Sequence, residues 1–72
     1  MSRRNLILRT VAQHKEVTQR RLVELLGVDP RAHLLKLKSD RLIRGVEVKG
    51  VMGYSVTMEG RLELGALDME AA

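Results

Sequence analysis

The sequence predicts a single small α+β domain over residues 1–72, made of three helices, a β-hairpin and a short C-terminal helix. Two observations lead to this prediction. Apolar residues recur at helical spacing as far as Ile43, and from there to Val56 they alternate with polar residues as in strands. The length allows one domain, with an expected core at residues 3–64 and a frayed tail at 65–72.

The first two helices carry start and stop signals. We expect the first helix to begin after the N-cap Ser2 and to close at residues 15–16. Its inward side is expected to carry Leu6, Ile7, Val11 and His14, which fall at helical spacing. Thr18 can cap the second helix, and Gly27 is suited to the left-handed residue that ends it. The inward stripe of the second helix is expected to be Leu22, Leu25 and Leu26.

The third helix has the clearest start. Asp29 is the expected N-cap and Pro30 the first helical residue, where a missing N–H is harmless. Leu34 and Leu37 are then expected to face the core. Only residues 27–29 separate the second and third helices, and such a short turn forces helices to cross sharply, as in a helix-turn-helix.

Alternation after Ile43 predicts a hairpin whose tip lies at residues 50–53. A third short strand near residues 16–17 could pair with it, giving a two- or three-stranded wing. Thr57 can cap the C-terminal helix, which Gly60 and Gly65 weaken. This order of elements is that of a small winged helix-turn-helix domain.

Composition excludes several kinds of protein. The chain has no Cys, and its two histidines, His14 and His33, have no neighbours at metal-ligand spacing, so we expect no metal. We find no nucleophile–base pair, glycine-rich phosphate loop or paired carboxylates, and we expect neither an enzyme nor a cofactor. No apolar run approaches the roughly 20 residues that span a bilayer, and we expect a cytoplasmic protein without membrane association.

Charge is unevenly distributed in this basic protein of net charge +4. Residues 1–58 contain 12 Lys or Arg and 5 Asp or Glu, whereas residues 59–72 contain 1 and 4. Such a distribution indicates that part of the surface faces a polyanion, although a merely solvated basic surface would have the same composition.

Two stretches resemble bacterial transcription regulators of the MarR and ArsR types. AHLLKLKSDRLI (Ala32 to Ile43) is similar to the family pattern HLxxLxxxGLI, and GYSVTMEGRLEL (Gly53 to Leu64) is similar to YxLTxxG. The resemblance covers roughly residues 5–64 and implies a winged helix that binds double-stranded DNA. Arg41 replaces a Gly that normally takes positive φ, so this turn must be strained or different. Val51 and Met52 stand where family members often carry Arg or Lys.

If the third helix enters a major groove, its outward side would read the bases. At about 100° per residue, the side opposite Leu34 and Leu37, with its flank, holds the base-contact candidates Arg31, Ala32, Leu35, Lys36 and Ser39. Candidates for phosphate contact on this and other elements are Arg20, Arg21, Lys38, Arg44 and Lys49. The sequence thus predicts a small DNA-binding transcription regulator without a sensor domain.

A second reading is a winged helix that binds protein, for example a small phage-type regulator that docks on the transcription or replication machinery. Its possible interface residues are Leu35, Val51, Met52, Leu64 and Leu67. Leu64 and Leu67, with Gly65 and Ala66, also predict a weak homodimer through the C-terminal helix. RNA binding is a third reading, disfavoured because stacking aromatics are lacking.

Overall fold

The computed structural model describes residues 2–71, with side-chain surroundings for residues 2–69. Its elements in chain order are α1 (Arg3–Gln13), β1 (Val17–Thr18), α2 (Gln19–Leu26), α3 (Arg31–Ser39), β2 (Ile43–Val48), β3 (Val51–Val56) and α4 (Met58–Ala71). The described chain is an α+β fold of four helices and a three-stranded antiparallel sheet of order β1-β3-β2. The α+β prediction is confirmed. Four helices are present where three and a short C-terminal one were expected, and the expected shortness is wrong: α4, with 14 residues, is the longest helix.

The predicted N-caps of α1 and α2 are confirmed, whereas α1 ends at Gln13 and not at residues 15–16. The Ser2 side chain accepts a hydrogen bond from the Asn5 N–H, and the Thr18 hydroxyl accepts one from the Arg21 N–H at 3.1 Å. Gly27 ends α2 in the left-handed conformation, with φ 72°. Each N-cap pairs a backbone donor that the helix leaves unpaired, which stabilises a helix by about 1 kcal/mol.

The start of α3 differs by one residue from the prediction. The Asp29 carboxylate accepts the Arg31 N–H at 3.0 Å, two residues ahead of it, as in an Asx turn. This turn places Pro30 in the N-cap position rather than inside the helix. The connection between α2 and α3 therefore spans residues 27–30 and is one residue longer than expected.

All helices and strands contribute to one core. Its buried members are Ile7, Leu8, Val11, Val17, Leu22, Leu34, Leu37, Leu42, Ile43, Val56 and Leu64. Two residues expected to face inward do not: Leu6 is 45% exposed and Leu25 is 42% exposed. Leu22 is the one buried residue of the eight-residue α2, because one side of this short helix faces the core and the others face solvent.

The hairpin turns earlier than predicted. Val48 pairs with Val51, so the tip is Lys49-Gly50 and not residues 50–53. Both tip residues have positive φ, 52° and 80°, as a two-residue type I′ turn requires. The short third strand is confirmed one residue further on, where Val17 pairs with Tyr54 of the central strand β3.

Thr57 joins the start of α4 to the turn that follows α3. Its hydroxyl donates to the Arg41 carbonyl at 2.7 Å and accepts from the Gly60 N–H at 3.1 Å, which confirms the predicted cap. Its backbone N–H donates to the Leu42 carbonyl at 3.1 Å. The strain expected at this turn falls on Arg41, whose φ is 63°.

The inward side of α4 packs on the core and on α1. Leu64 is buried and Leu67 is partly buried, so the two leucines expected on a free apolar side are engaged within the domain. Arg4 pairs with Glu63 at 3.1 Å, and Arg9 pairs with Asp68. The hydrogen bond from Arg9 lowers the pKa of Asp68. The expected tail boundary at residue 64 falls inside α4, and fraying of residues 65–72 stays a prediction.

Replacement of Arg41 by Gly should stabilise the domain. A left-handed conformation costs a residue with a Cβ about 1–2 kcal/mol, of which the greater chain entropy of Gly offsets part. We expect a gain of about 0.5–1 kcal/mol in the free energy of unfolding, measured by urea denaturation. Arg41→Ala is the control: it removes the same charge but keeps a Cβ, and an equal gain from Ala would contradict the strain argument.

The two glycines of α4 should respond oppositely to Ala. A Cβ at Gly60 would approach the Leu42 carbonyl oxygen and, at 2.7 Å, a methyl of Val56, whereas a Cβ at Gly65 meets nothing within 4 Å. Gly60→Ala should therefore destabilise the domain by about 1–3 kcal/mol through overpacking. Gly65→Ala should stabilise it by up to about 1 kcal/mol through helix propensity. Thermal unfolding at low micromolar concentration measures both, and a Gly60→Ala variant as stable as the parent would refute the close contact.

Candidate nucleic-acid interface

The outward side of α3 is open to solvent. Leu34 and Leu37 are turned to the core, and the four residues on the other side are all exposed: Ala32, Leu35, Lys36 and Ser39. Leu35 is 73% exposed. Arg31 and Lys38 flank this side and are also exposed. We call these six residues the α3 face.

Two cations of the α3 face pair with acidic neighbours. Three hydrogen bonds run from the Arg31 guanidinium to Asp29, the shortest from Nη2 to Oδ2 at 2.7 Å. These bonds, together with the one from the Arg31 backbone N–H, lower the pKa of the Asp29 carboxyl. Lys36 lies 3.4 Å from Asp40, one helical turn on. Both pairs are largely solvent-exposed, and exposed pairs typically contribute at most about 1 kcal/mol, so an anion of higher charge density can displace the carboxylates.

The N-terminal turn of α2 carries Arg20 and Arg21. The Arg20 side chain is 90% exposed, and that of Arg21 is 57% exposed. Both cations contact one carboxylate, that of Glu24, at 3.6 and 3.2 Å. One unit of positive charge therefore stays uncompensated at a helix end that already carries a partial positive charge from the helix dipole.

The hairpin approaches the α3 face at Gly45. The Lys38 ammonium lies 3.5 Å, and the Met52 sulfur 3.6 Å, from the position that a Cβ would take at Gly45. A larger residue there would compete with the Lys38 side chain for this space. The end of the Lys38 side chain therefore lies beside the hairpin at Gly45.

A shallow depression of about 270 Å³ lies between α3, the first residue of α2 and the central strand. It is lined by Gln19, Arg31, Leu34, Leu35, Lys38 and Tyr54. Gln19 and Tyr54 were not among the residues predicted from the sequence. The pairing of β1 with β3 brings them here, because it sets Val17 beside Tyr54 just before α2 begins.

Two other predicted phosphate contacts lie apart from the α3 face. Gly45 faces Lys38, so its neighbour Arg44 lies on the opposite side of the hairpin, because successive strand residues alternate. Lys49 lies in the hairpin turn. Val51 and Met52 are 54% and 62% exposed, and they lie in β3 beside the turn instead of forming the tip.

Four cations of α3, the hairpin and the turn between them have no acidic partner within residues 2–69: Lys38, Arg41, Arg44 and Lys49. Arg41 and Lys49 are also the two residues other than Gly that adopt positive φ within residues 2–71. Asn or Gly would fit such positions at lower conformational cost. Both residues are exposed in turns, one after α3 and one at the hairpin tip, so both cations are candidates for phosphate contact.

The described residues give little support for a metal site or a membrane-spanning helix. Within residues 2–69, no three His, Cys, Asp or Glu side chains come together as metal ligands would. His14 is oriented by its Nδ1, which lies 2.9 Å from the Thr10 carbonyl oxygen. None of the described helices has the length and apolar character that crossing a membrane requires.

Comparison with known proteins adds no further assignment. The chain matches no protein-family model, and no curated protein or solved structure matches it significantly. The resemblance to MarR and ArsR regulators therefore rests on the two motifs at residues 32–43 and 53–64.

Proposed function

We propose that the chain is a winged helix-turn-helix domain that binds double-stranded DNA as a small cytoplasmic transcription regulator, with α3 in the major groove. The observation that carries the proposal is the α3 face. It is a helix side with no covering element in the described chain, flanked by cations, and it adjoins the hairpin through Lys38.

The order of elements supports the winged-helix assignment. Four residues connect α2 to α3, a two-residue turn joins β2 to β3, and β1 pairs with the far edge of β3. This is the arrangement that the MarR and ArsR resemblance implies. The hairpin then corresponds to the wing of that fold.

The size and chemistry of α3 suit a major groove. An α-helix with its side chains is about 10–12 Å across, and the major groove of B-DNA is about 12 Å wide. Arg31 and Lys36 can donate to the acceptor edge of guanine, and Leu35 can contact a thymine methyl. Ala32 allows close approach, and Ser39 can donate to a base or a phosphate.

Phosphate contacts are proposed on three elements around the groove. Arg20 and Arg21 supply them from α2, where their shared Glu24 leaves excess positive charge. Lys38 and Arg41 supply them from the C-terminal end of α3, and Lys49 from the hairpin turn. Arg44 is the weakest of the candidates, because it lies on the hairpin side away from α3.

Duplex binding measured over a salt series tests the proposal. Arg20→Ala with Arg21→Ala should weaken binding to all duplexes about equally and reduce the salt slope by roughly one to two units. Lys36→Ala or Arg31→Ala should cost about 1–3 kcal/mol on a preferred site and less on random DNA. Arg41→Gly should weaken duplex binding even though it should stabilise the fold.

Lys15→Ala is the matched control for charge. Lys15 is an exposed cation whose carbonyl accepts the Ser55 hydroxyl, on the side of the sheet away from α3. This variant should leave duplex affinity nearly unchanged. Equal losses from Lys15→Ala and Lys36→Ala would mean that binding follows net charge alone, and the α3 face would then not be the interface.

Exposed apolar residues on α3 and the hairpin favour a second candidate function, the capture of a protein partner. Leu35, Val51 and Met52 are all more than half exposed. Phosphate gains nothing from these side chains, whereas buried apolar anchors carry much of the energy of protein interfaces.

Replacement of Val51 and Met52 by Ser separates the two functions. DNA binding predicts little change in duplex affinity, because neither side chain pairs with phosphate. Protein capture predicts that the double variant loses a partner retained from host extract while Lys36→Ala keeps it. If duplex binding vanishes at physiological salt and the Ser variant alone loses the partner, the DNA proposal fails.

A further inference from the structure

The outward side of α4 carries an apolar stripe that the domain itself leaves uncovered. Met58, Leu62 and Met69 are 78%, 68% and 80% exposed. On a helical wheel they lie within roughly 40° of one another and opposite the core-facing Leu64 and Leu67. Gly65 lies between Leu62 and Met69 on the same side. We call Met58, Leu62, Gly65 and Met69 the α4 stripe.

We propose that the α4 stripe pairs with the α4 stripe of a second copy of this chain, with the two helices antiparallel. The four positions are spaced by four, three and four residues, which is the seam of a heptad repeat. A heptad seam keeps facing a partner helix along its length. The proposed homodimer thus uses exposed residues of α4 and not the inward Leu64 and Leu67.

Side-chain size favours the antiparallel register. In that register Leu62 of one copy faces Gly65 of the other, and Met58 faces Met69, in two equivalent halves. A Cβ at Gly65 would meet nothing within the domain, so the packing of a single copy does not require Gly here. Gly inside a helix lowers the stability of the helix by about 1 kcal/mol relative to Ala. At position 65, Gly allows a second helix to approach closely. A parallel pair would set Gly65 against Gly65 and leave a gap.

Charge along the seam also favours a second copy. Arg61 and Asp68 flank the stripe on the same side, one heptad apart. Antiparallel pairing brings Arg61 of each copy near Asp68 of the other, whereas parallel pairing sets Arg61 near Ala66. Arg61 makes no ion pair within residues 2–69, and Asp68 remains 57% exposed beside Arg9. On the other flank, Glu59 faces the neutral Ala66.

The size of the stripe sets the strength of this dimer. Three large apolar side chains per copy are far fewer than the roughly 20–30 residues per side of a standard stable interface. The dimer should therefore be weak, with a dissociation constant in the micromolar range or above. The inference is independent of the proposed DNA binding, because no residue of the stripe belongs to the α3 face.

Sedimentation equilibrium over a concentration series tests the pairing with the full chain. Leu62→Gln should weaken the dimer at least about tenfold, because each copy loses one buried Leu contact. Gly65→Gln should weaken it similarly while the free energy of unfolding at low concentration does not fall, since the monomer has open space there. Val23→Thr, an apolar change on the exposed side of α2, is the matched control and should leave the dimer intact.

Single cysteines test the antiparallel register, since the described residues hold no native Cys. A mixture of Met58→Cys chains and Met69→Cys chains should form the mixed disulfide on mild oxidation, and each variant alone should cross-link poorly. Efficient cross-linking of each variant with itself would overturn the antiparallel register. A monomer at about millimolar concentration, or a dimer unaffected by both Leu62→Gln and Gly65→Gln, would overturn the interface itself.

Discussion

The contact on which the rest of the domain depends is the one between Thr57 and the turn after α3. Thr57 holds the carbonyls of Arg41 and Leu42 and caps α4 through Gly60. Four elements meet at this point: the end of α3, the first strand of the hairpin, the end of its second strand and the start of α4. Gly60 completes the contact because its missing side chain lets α4 approach the Leu42 carbonyl. The end of the hairpin and the start of α4 are therefore both joined to the turn after α3 at this contact.

This contact also explains why a strained Arg41 persists. The Arg41 carbonyl accepts a hydrogen bond from the Thr57 hydroxyl while Arg41 is in the left-handed conformation, so the surrounding structure stabilises this conformation. Gly would meet this requirement without strain. Arg41 is one of the cations to which we assign a phosphate contact, as is Lys49 in the hairpin turn.

The domain separates its two proposed activities in space and in chemistry. The α3 face and its surroundings are basic and suit a polyanion. The α4 stripe is apolar with one cation and one anion beside it and suits a copy of itself. A dimer formed through α4 would carry two α3 faces, and duplex affinity would then rise with protein concentration because two half-sites are engaged together. The weakness of the pairing would make occupancy of such a site responsive to the amount of protein present.

Local signals in the sequence predicted those features that depend on a few neighbouring residues. Ser2, Thr18 and Thr57 were identified as caps and Gly27 as a helix end, because each acts on backbone within four residues of itself. The alternation after Ile43 predicted the strands of the hairpin, because it too is a pattern among neighbouring residues. The start of α3 was off by one residue, since Asp29 can form an Asx turn as readily as an N-cap.

Only the tertiary structure decided which apolar side chains are buried, where the hairpin turns and which cations lie together. Leu62 and Leu64 of α4 are the same type of residue, two positions apart. Only the packing of α4 on α1 turns Leu64 inward and leaves Leu62 exposed. Periodicity could not locate the tip at Lys49-Gly50, because register depends on pairing with the opposite strand. The proximity of Tyr54 and Gln19 to the α3 face likewise arises from the pairing of β1 with β3, a contact between residues far apart in the chain.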